Sequence, residues 1–290
     1  MKRFFILASA AIVALASCAK TEVVYKDGPQ EIAFKQVTGA MTKGSLGDNA
    51  NVVLGVYADY KATPTSAVGV YFTNQQFKGD AEGQEWVGDP TQYYPLSGTL
   101  DFVGYAPYAA DADYTNNKLT LTLADNKAAQ TDLLYSTKVT GVDKASGVNA
   151  QAMTLHHALA KVSYKFTTQN VTLNKVTLNG TYQAGEYVVD YGNFDNKSGR
   201  WTPSGTTVDW EFTGVPADND TYLVVPSAQT SITLNYNLGT SQAVNHTITL
   251  TDDWEEGKHY VYAITITPQE IKFTPTSTAW VTTTVDVPAL

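Results

Sequence analysis

Histidine side chains are the most versatile groups in this sequence for acid–base or metal chemistry, and there are four of them: His156, His157, His246 and His259. His156 and His157 are adjacent, so on a strand they point to opposite faces and cannot hold one metal ion together. The parity of His157 matches that of its apolar neighbours, which predicts a core histidine that is hydrogen-bonded to backbone. His246 and His259 have no carboxylate or Cys partner at metal-ligand spacing.

Carboxylate pairs could also act as a general acid and base, and the clearest pairs are Asp252-Asp253 and Glu255-Glu256. Both lie just before Gly257, which favours a solvated turn over a catalytic pair. The sequence contains no Gly-x-Ser-x-Gly motif for a nucleophilic serine. These patterns predict no catalytic residues, no metal site and no cofactor. A hydrolase would need a histidine or carboxylate pair brought together from distant strands.

The single cysteine, Cys18, follows a short apolar run that begins after Met1, Lys2 and Arg3. A charged start, an apolar run too short to span a membrane and then small residues are typical of a secretory signal peptide. The residues Leu15-Ala16-Ser17-Cys18 resemble a bacterial lipobox, in which the cysteine is lipidated and becomes the first residue of the mature chain. We therefore predict a signal peptide over residues 1–17 and a lipidated tether over residues 18–28.

Composition narrows the class of protein further. Hydrophobic residues make up 43% of the chain and charged residues 16%, which argues against disorder driven by charge. The net charge of -9 argues against a protein that binds nucleic acid through its phosphates. One cysteine excludes an intramolecular disulfide. The chain is rich in Thr and Tyr, which suit half-buried strands, and in Gly, which suits turns.

Alternating apolar residues at short intervals predict strands, and Gly, Pro and Asn clusters between them predict turns. The clearest alternation occurs at residues 119–123, 208–212, 232–236, 247–250 and 260–267. The alternation changes phase near Ala160-Lys161, which predicts either a β-bulge there or a strand that passes between two sheets. A second phase change near Asn174 predicts the same kind of irregularity.

Many short strands separated by turns predict an all-β sandwich or barrel. One seven-stranded sandwich takes about 100 residues, so the folded part has room for two. The polar residues Thr167-Thr168-Gln169-Asn170 are the preferred boundary. We therefore predict an N-terminal sandwich over residues 29–168 and a C-terminal sandwich over residues 169–290.

Several strings, in order along nearly the whole chain, resemble the fimbrillin family of Bacteroidales outer-membrane lipoproteins, the subunits of type V pili. They are Glu31-Ile32-Ala33-Phe34, Tyr93-Tyr94-Pro95-Leu96, Tyr105-Ala106-Pro107-Tyr108, Asp132-Leu133-Leu134-Tyr135, Leu155-His156-His157-Ala158-Leu159-Ala160-Lys161-Val162, and Trp254 with Gly257, Lys258, Tyr260 and Tyr262. Each string alone is weak, but their order and the lipobox support one another. The resemblance implies two transthyretin-like β-sandwich domains in tandem and no enzyme activity.

The resemblance also implies that a trypsin-like protease removes the first strand and that a strand from a neighbouring subunit fills the groove. Here the removable strand would span residues 30–38, with Ile32, Phe34 and Val37 as its apolar positions. Family members are cut after Arg, which this region lacks, so Lys43–Gly44 is the candidate bond. The alternative is that Lys43 is a solvated loop residue and the strand stays in place.

The candidate donor strand is the C-terminal tail, residues 276–290. Its residues of one parity are Ala279, Val281, Thr283, Val285 and Val287, while Trp280 faces the other way. The alternative is an ordinary final strand of the second sandwich.

Together these patterns predict a non-enzymatic fimbrial subunit or anchor at the cell surface. It would be held in the outer membrane by lipid on Cys18, and its partners would be other fimbrillin subunits and a processing protease. The alternative is a surface lipoprotein that binds a glycan or host protein, for which tyrosines would form a stacking platform: Tyr93, Tyr94, Tyr105, Tyr108, Tyr182, Tyr187 and Tyr191.

Overall fold

The computed structural model describes residues 28–36, 52–79, 85–110, 112, 118–124, 129–146, 149–188, 200–216, 221–228, 231–251 and 253–280. These residues form β-strands joined by turns, and none of them lies in an α-helix. Nowhere in those ranges is there a helix with the length and apolarity needed to cross a membrane.

Ten strands precede residue 158: β1 (Ala33–Gln36), β2 (Val53–Lys61), β3 (Gly69–Gly79), β4 (Glu85–Gly88), β5 (Thr99–Ala106), β6 (Lys118–Thr122), β7 (Leu134–Ser136), β8 (Val139–Val142), β9 (Gln151–Met153) and β10 (Leu155–His157). Eight more follow: β11 (Ala160–Thr168), β12 (Val171–Val188), β13 (Trp201–Thr213), β14 (Thr221–Val224), β15 (Ser231–Leu238), β16 (Val244–Thr249), β17 (Lys258–Ile266) and β18 (Ile271–Ala279).

The first sheet curls until its two ends lie close together. Its strand order is β10-β7-β5-β2-β3-β4-β1-β9, with β8 paired to β5. The strands at the two ends of this order, β9 and β10, are separated in sequence by Thr154 alone. A single residue spans less than about 4 Å, so the sheet must fold over its own apolar face. That face encloses a core that includes Phe34, Leu54, Phe77 and Phe102.

The later strands form two sheets that pack face to face as a β-sandwich. One sheet has the order β14-β11-β17-β18 and the other β13-β12-β15-β16, with β6 paired to β12. Alternate residues of both sheets meet in one core, for example Val162 and Tyr262 from the first and Val176 and Leu234 from the second. The period-two pattern is clearest in β17, where Tyr260, Tyr262, Ile264 and Ile266 all lie in this core.

The strands predicted from alternation are confirmed, and both phase changes have a structural cause. β10 ends at His157 in the first sheet, and β11 begins at Ala160 in the four-stranded sheet, so the chain passes between sheets. The second phase change coincides with a register shift between Leu173 and Lys175 where β12 pairs with β15. The extra residue, Asn174, allows Leu173 and Val176 both to be buried.

Sheet membership changes earlier than the boundary predicted between residues 168 and 169. β11 pairs with β14 and in parallel with β17, both of which come later in the chain. The polar residues after β11 form the turn into β12 and do not separate two folding units. In the opposite direction, β6 comes from the earlier part of the chain and extends the five-stranded sheet. The division into residues 29–168 and 169–290 therefore does not follow the pairing of the strands.

Candidate functional site

Strand β1 lies inside the first sheet, between β4 and β9. It pairs antiparallel with β4, with Phe34 opposite Trp86, and parallel with β9, with Lys35 opposite Ala152. The residues before it continue the pairing, because the Ile32 amide donates to the Gln92 carbonyl at 2.8 Å. Removal of β1 would therefore expose the backbone of two neighbouring strands, β4 and β9.

Phe34 of β1 and Ile32, just before it, complete the core of the first sheet. Ile32 and Phe34 are buried, with 1% and 0% of their surface exposed. The Phe34 ring makes edge-to-face contacts with Phe77 at 5.0 Å and Phe102 at 5.1 Å between centroids. Aromatic pairs in this geometry add about 0.5–1.5 kcal/mol to the energy of burial. Without β1 the sheet would hold an apolar groove lined by these rings and Trp86.

Most of the other predicted site residues lie outside the described residues. These are Cys18, Val37, Lys43, Gly44, Val281, Thr283, Val285 and Val287. Ala279 is described, and it is the last residue of β18, where it pairs with Lys258. The first residues of the candidate donor segment, 276–279, are therefore part of an ordinary antiparallel strand, which is the alternative predicted for them.

Trp280 directly follows β18 and is buried. The residues around it come both from the earlier part of the chain, up to residue 158, and from the later part. The Trp280 ring stacks on the His157 imidazole, with centroids 3.7 Å apart and planes at 4°. The Lys161 ammonium lies 4.9 Å from the Trp280 ring centroid. The backbone amide of Trp280 donates to the Gly257 carbonyl at 2.7 Å. These contacts hold the end of β18 against strand β10 of the first sheet.

His157 is a core histidine, as its parity predicted, but its partner is a carboxylate and not the backbone. Its Nδ1 atom contacts Asp132 Oδ2 in a short hydrogen bond. The side chains are 4% and 1% exposed, and burial raises the pKa of Asp132. A histidine–carboxylate pair from distant strands is what a hydrolase would need. Here Trp280 covers the imidazole, so the pair does not line an accessible pocket.

A second buried polar cluster joins the two parts of the chain around Arg200. Its Nη1 atom donates to Tyr135 Oη at 3.1 Å and to Tyr187 Oη at 3.2 Å, and it lies 3.3 Å from Glu256 Oε1. The Tyr135 hydroxyl also donates to Glu256 Oε1 at 3.1 Å. Burial and the Glu256 carboxylate raise the pKa of Tyr135 to about 12, so this hydroxyl remains a donor at neutral pH.

The solvated turn predicted for the carboxylates at residues 252–256 is wrong for Glu256. Glu256 is 3% exposed and belongs to the Arg200 cluster, whereas Glu255 is largely exposed and pairs with Lys258. This cluster was not predicted from the sequence. The available signal was that Arg200 is the only arginine after the predicted signal peptide, in a chain whose other cations are lysines. Arginine is favoured over lysine where a buried cation must satisfy several acceptors.

The remaining histidines are not brought together. His246 is exposed on β16, while His259 Nε2 lies 2.7 Å from Ser163 Oγ on the outer face of the four-stranded sheet. In the described ranges, no group of three or more His, Cys, Asp or Glu side chains could hold a metal ion.

The tyrosines proposed as a stacking platform are distributed between core and surface. Tyr94, Tyr105 and Tyr187 are buried, and Tyr191 lies outside the described residues. Tyr93 is 41% exposed and accepts, through its carbonyl, a hydrogen bond of 2.8 Å from the Tyr71 hydroxyl. Tyr108 and Tyr182 are partly exposed, and of the described tyrosines Tyr71 and Tyr93 have the most exposed side chains.

Solved structures share this fold across most of the chain. A proposed cell adhesion protein from Bacteroides uniformis ATCC 8492 superposes with a TM-score of 0.61 at 20% identity, covering 86% of this chain and 98% of that one. A fimbrial protein from Bacteroides vulgatus ATCC 8482 gives a TM-score of 0.58 at 14% identity, covering 86% and 99%. A proposed cell adhesion protein from Bacteroides ovatus ATCC 8483 gives 0.57 at 17% identity, covering 87% and 98%.

None of the curated proteins matches the sequence. The family comparison is more specific, because a model described as fimbrillin-like matches residues 40–280. That range includes all of the described strands from β2 to β18. The chain belongs to the fimbrillin-like family.

Proposed function

We propose that this chain is a non-enzymatic cell-surface protein that serves as a subunit or anchor of a fimbria and contributes to adhesion. Membership of the fimbrillin-like family supports this function. The observation that carries the mechanism is the position of β1, a four-residue strand that is paired on both sides and has Phe34 in the core. A strand from another subunit with the same alternation could replace it.

In this mechanism, cleavage at Lys43–Gly44 detaches the segment that contains β1. The groove then exposes unpaired backbone groups of β4 and β9 and the rings of Phe77 and Phe102. A donated strand satisfies both, which makes assembly favourable only after cleavage. The donor is a tail from a neighbouring subunit, and we propose residues 281–290 for this role, with Val281, Val285 and Val287 entering the groove. Lipid on Cys18 holds the unprocessed chain in the outer membrane.

Limited digestion with a trypsin-like protease tests this proposal. We expect wild-type protein to be cut after Lys43 and to change from monomer to oligomer in analytical ultracentrifugation. A Lys43→Gln variant should stay uncut at this bond and monomeric. Clipped protein that remains monomeric at high concentration, and that recruits no partner from cell-surface extracts, would contradict the assembly role.

Mass spectrometry of native protein tests which role the subunit has. A lipidated Cys18 at the N-terminus is expected for an anchor or an unprocessed precursor, and Gly44 is expected for an assembled subunit. Any other mature N-terminus would contradict the processing scheme.

A second candidate function, binding of a glycan or host protein, is supported by the exposed pair Tyr71 and Tyr93. An aromatic pair on the surface can stack on a sugar ring. Glycan-array binding that is lost in a Tyr71→Ala variant would favour this function.

A further inference from the structure

The four-stranded sheet differs in charge from the chain as a whole. Its strands β14, β11, β17 and β18 contain neither Asp nor Glu, although the chain has 28 acidic residues and a net charge of -9. The same four strands contain four lysines and one histidine. The charge of this sheet is therefore opposite in sign to that of the whole chain.

Three of these lysines lie on the outer face of the sheet, away from the core. Tyr164 of β11 is a core residue, so Lys161 and Lys165, at odd separations from it, point to the other face. Phe273 of β18 packs against the core, so Lys272 also points outward. We name this surface the lysine face and define it by Lys161, Lys165 and Lys272.

The pairing register brings Lys165 and Lys272 together on the lysine face. Lys165 is opposite Ala263 on β17, and Lys272 is opposite Thr265, two residues further along the same strand. Paired residues lie side by side with their side chains on one face, with about 4.8 Å between strands and about 7 Å for two residues along a strand. The Cα atoms of the two lysines are therefore about 12 Å apart.

Lys161 lies towards the other end of the same face. It is opposite His259 on β17, and it precedes Lys165 by four residues, a separation of about 13 Å. Burial and then the ammonium groups of Lys161 and Lys165 lower the pKa of His259. Both ammonium groups therefore act on one imidazole, which places them on a single surface.

The three lysines of this face form no ion pair with an Asp or Glu among the described residues. Ion pairs with Asp or Glu are made by five other lysines: Lys61, Lys78, Lys138, Lys175 and Lys258. The Lys161 ammonium instead lies 4.9 Å from the Trp280 ring centroid. Lys165 and Lys272 are exposed, so their charges are accessible to an anion from outside the chain.

Hydroxyl groups surround the lysines on this face. Thr274, Thr276 and Thr278 share the parity of Lys272 on β18, and all three are exposed. Hydroxyl groups both donate and accept hydrogen bonds, which suits the hydroxyls of a sugar. None of the exposed large hydrophobic residues in the described part of the chain belongs to this sheet, so the face lacks the apolar core of a protein interface.

We propose that the lysine face binds an acidic polysaccharide whose acid groups are well separated along the polymer. Its lysines are about 12–13 Å apart, whereas each strand of a nucleic acid carries a phosphate about every 3.4 Å. A polysaccharide with one carboxylate per disaccharide has its charges spread more widely, with hydroxyls between them. The inference goes beyond the proposed function, because this face requires neither cleavage nor strand replacement, and Tyr71 belongs to a different sheet.

Affinity electrophoresis of the full chain in gels that contain hyaluronan, which has one carboxylate per disaccharide, tests the inference. Gels with dextran, a neutral polysaccharide, give the reference mobility. The face variant is Lys165→Gln with Lys272→Gln. The matched control is Lys78→Gln with Lys175→Gln, which removes the same charge from two lysines that are 48% and 43% exposed and lie outside this sheet. All four lysines are exposed, so both variants should keep the thermal midpoint of wild type.

We expect hyaluronan to retard wild type and control alike, and less so as the salt concentration rises. The affinity of the face variant should be at least about fivefold lower, because it loses two exposed charge contacts. No retardation of wild type, or an equal loss in both variants, would overturn the inference. Tighter binding of wild type to single-stranded DNA or to phosphatidylglycerol vesicles than to hyaluronan would overturn it in favour of a nucleic acid or a membrane.

Discussion

The His259 imidazole is held in an environment that disfavours its charged form. Burial, followed by the nearby ammonium groups of Lys161 and Lys165, lowers the pKa of His259 to about 4. The side chain opposite it on β18 is Thr278, and Ser163 contacts its Nε2 atom. The groups that face His259 are therefore cationic or neutral, and no carboxylate among the described residues is hydrogen-bonded to it.

This environment predicts a specific pH dependence of stability. An unfolded histidine has a pKa of about 6.5, so between about pH 6.5 and 4 the unfolded state binds more protons than the folded state. The free energy of unfolding should therefore fall as the pH is lowered through this window. A His259→Gln variant should lose this part of the dependence in urea titrations at several pH values.

The exposed His246 provides the control. Its replacement by Gln should leave the pH profile unchanged, while carboxylate titration contributes equally to all three proteins. An identical slope for wild type and His259→Gln between pH 6.5 and 4 would contradict the argument.

At the scale of residues, the sequence predicted which side chains are buried better than it predicted which side chains contact each other. The alternation around Leu155 placed His157 in the core, because parity is a local property of a strand. Its actual partners, Asp132 and Trp280, are 25 residues before it and 123 residues after it, and no local pattern connects them. Glu256 was misassigned for the same reason, since its partner Arg200 lies on a distant segment.

At the scale of elements, β1 is the strand on which the proposed function depends, and Phe34 is its central side chain. A Phe34→Ala variant of the intact chain should lose about 3–5 kcal/mol of stability, because it leaves a cavity between Phe77 and Phe102. Chemical denaturation measures this loss. The exposed neighbour Lys35 is the control, and Lys35→Ala should change stability by less than about 0.5 kcal/mol.

Equal stability of Phe34→Ala and wild type would show that β1 does not complete the core. In that case its removal would open no apolar groove, and strand replacement would lose its driving force.

Strand positions were predictable from the sequence, whereas their assignment to sheets was not. β6, β13, β15 and β17 were recognised because alternation is visible within one strand. β11 was assigned to the wrong side of the boundary because its parallel partner β17 lies about 100 residues later. Parallel pairing across such a distance leaves no composition signal in the residues between the strands.

At the scale of the whole molecule, the earlier and later parts of the chain are connected by three features. β6 extends the five-stranded sheet, Trp280 packs on His157, and Arg200 is hydrogen-bonded to Tyr135. Separate folding of the two parts would break all of these contacts. We therefore expect the chain to unfold in a single transition in differential scanning calorimetry.

A Glu256→Gln variant tests this connection, because it leaves the buried Arg200 cation without its carboxylate. Loss of one member of a buried ion pair costs about 3–5 kcal/mol. We expect the whole transition to move to lower temperature while remaining single. Glu255→Gln is the matched control at the adjacent exposed position and should shift it little. Two separate transitions, only one of which responds to Glu256→Gln, would contradict the prediction.

The burial of Arg200 also makes this residue a reporter of opening. The sequence contains one other arginine, Arg3, within the predicted signal peptide. Arg200 is 3% exposed, so an arginine-specific protease can cut after it only when this part of the fold opens. A cut after Arg200 would therefore report the opening of the contacts that Arg200 makes with Tyr135 and Glu256. The same digestion, applied to monomer and to assembled material, would compare how often each one opens.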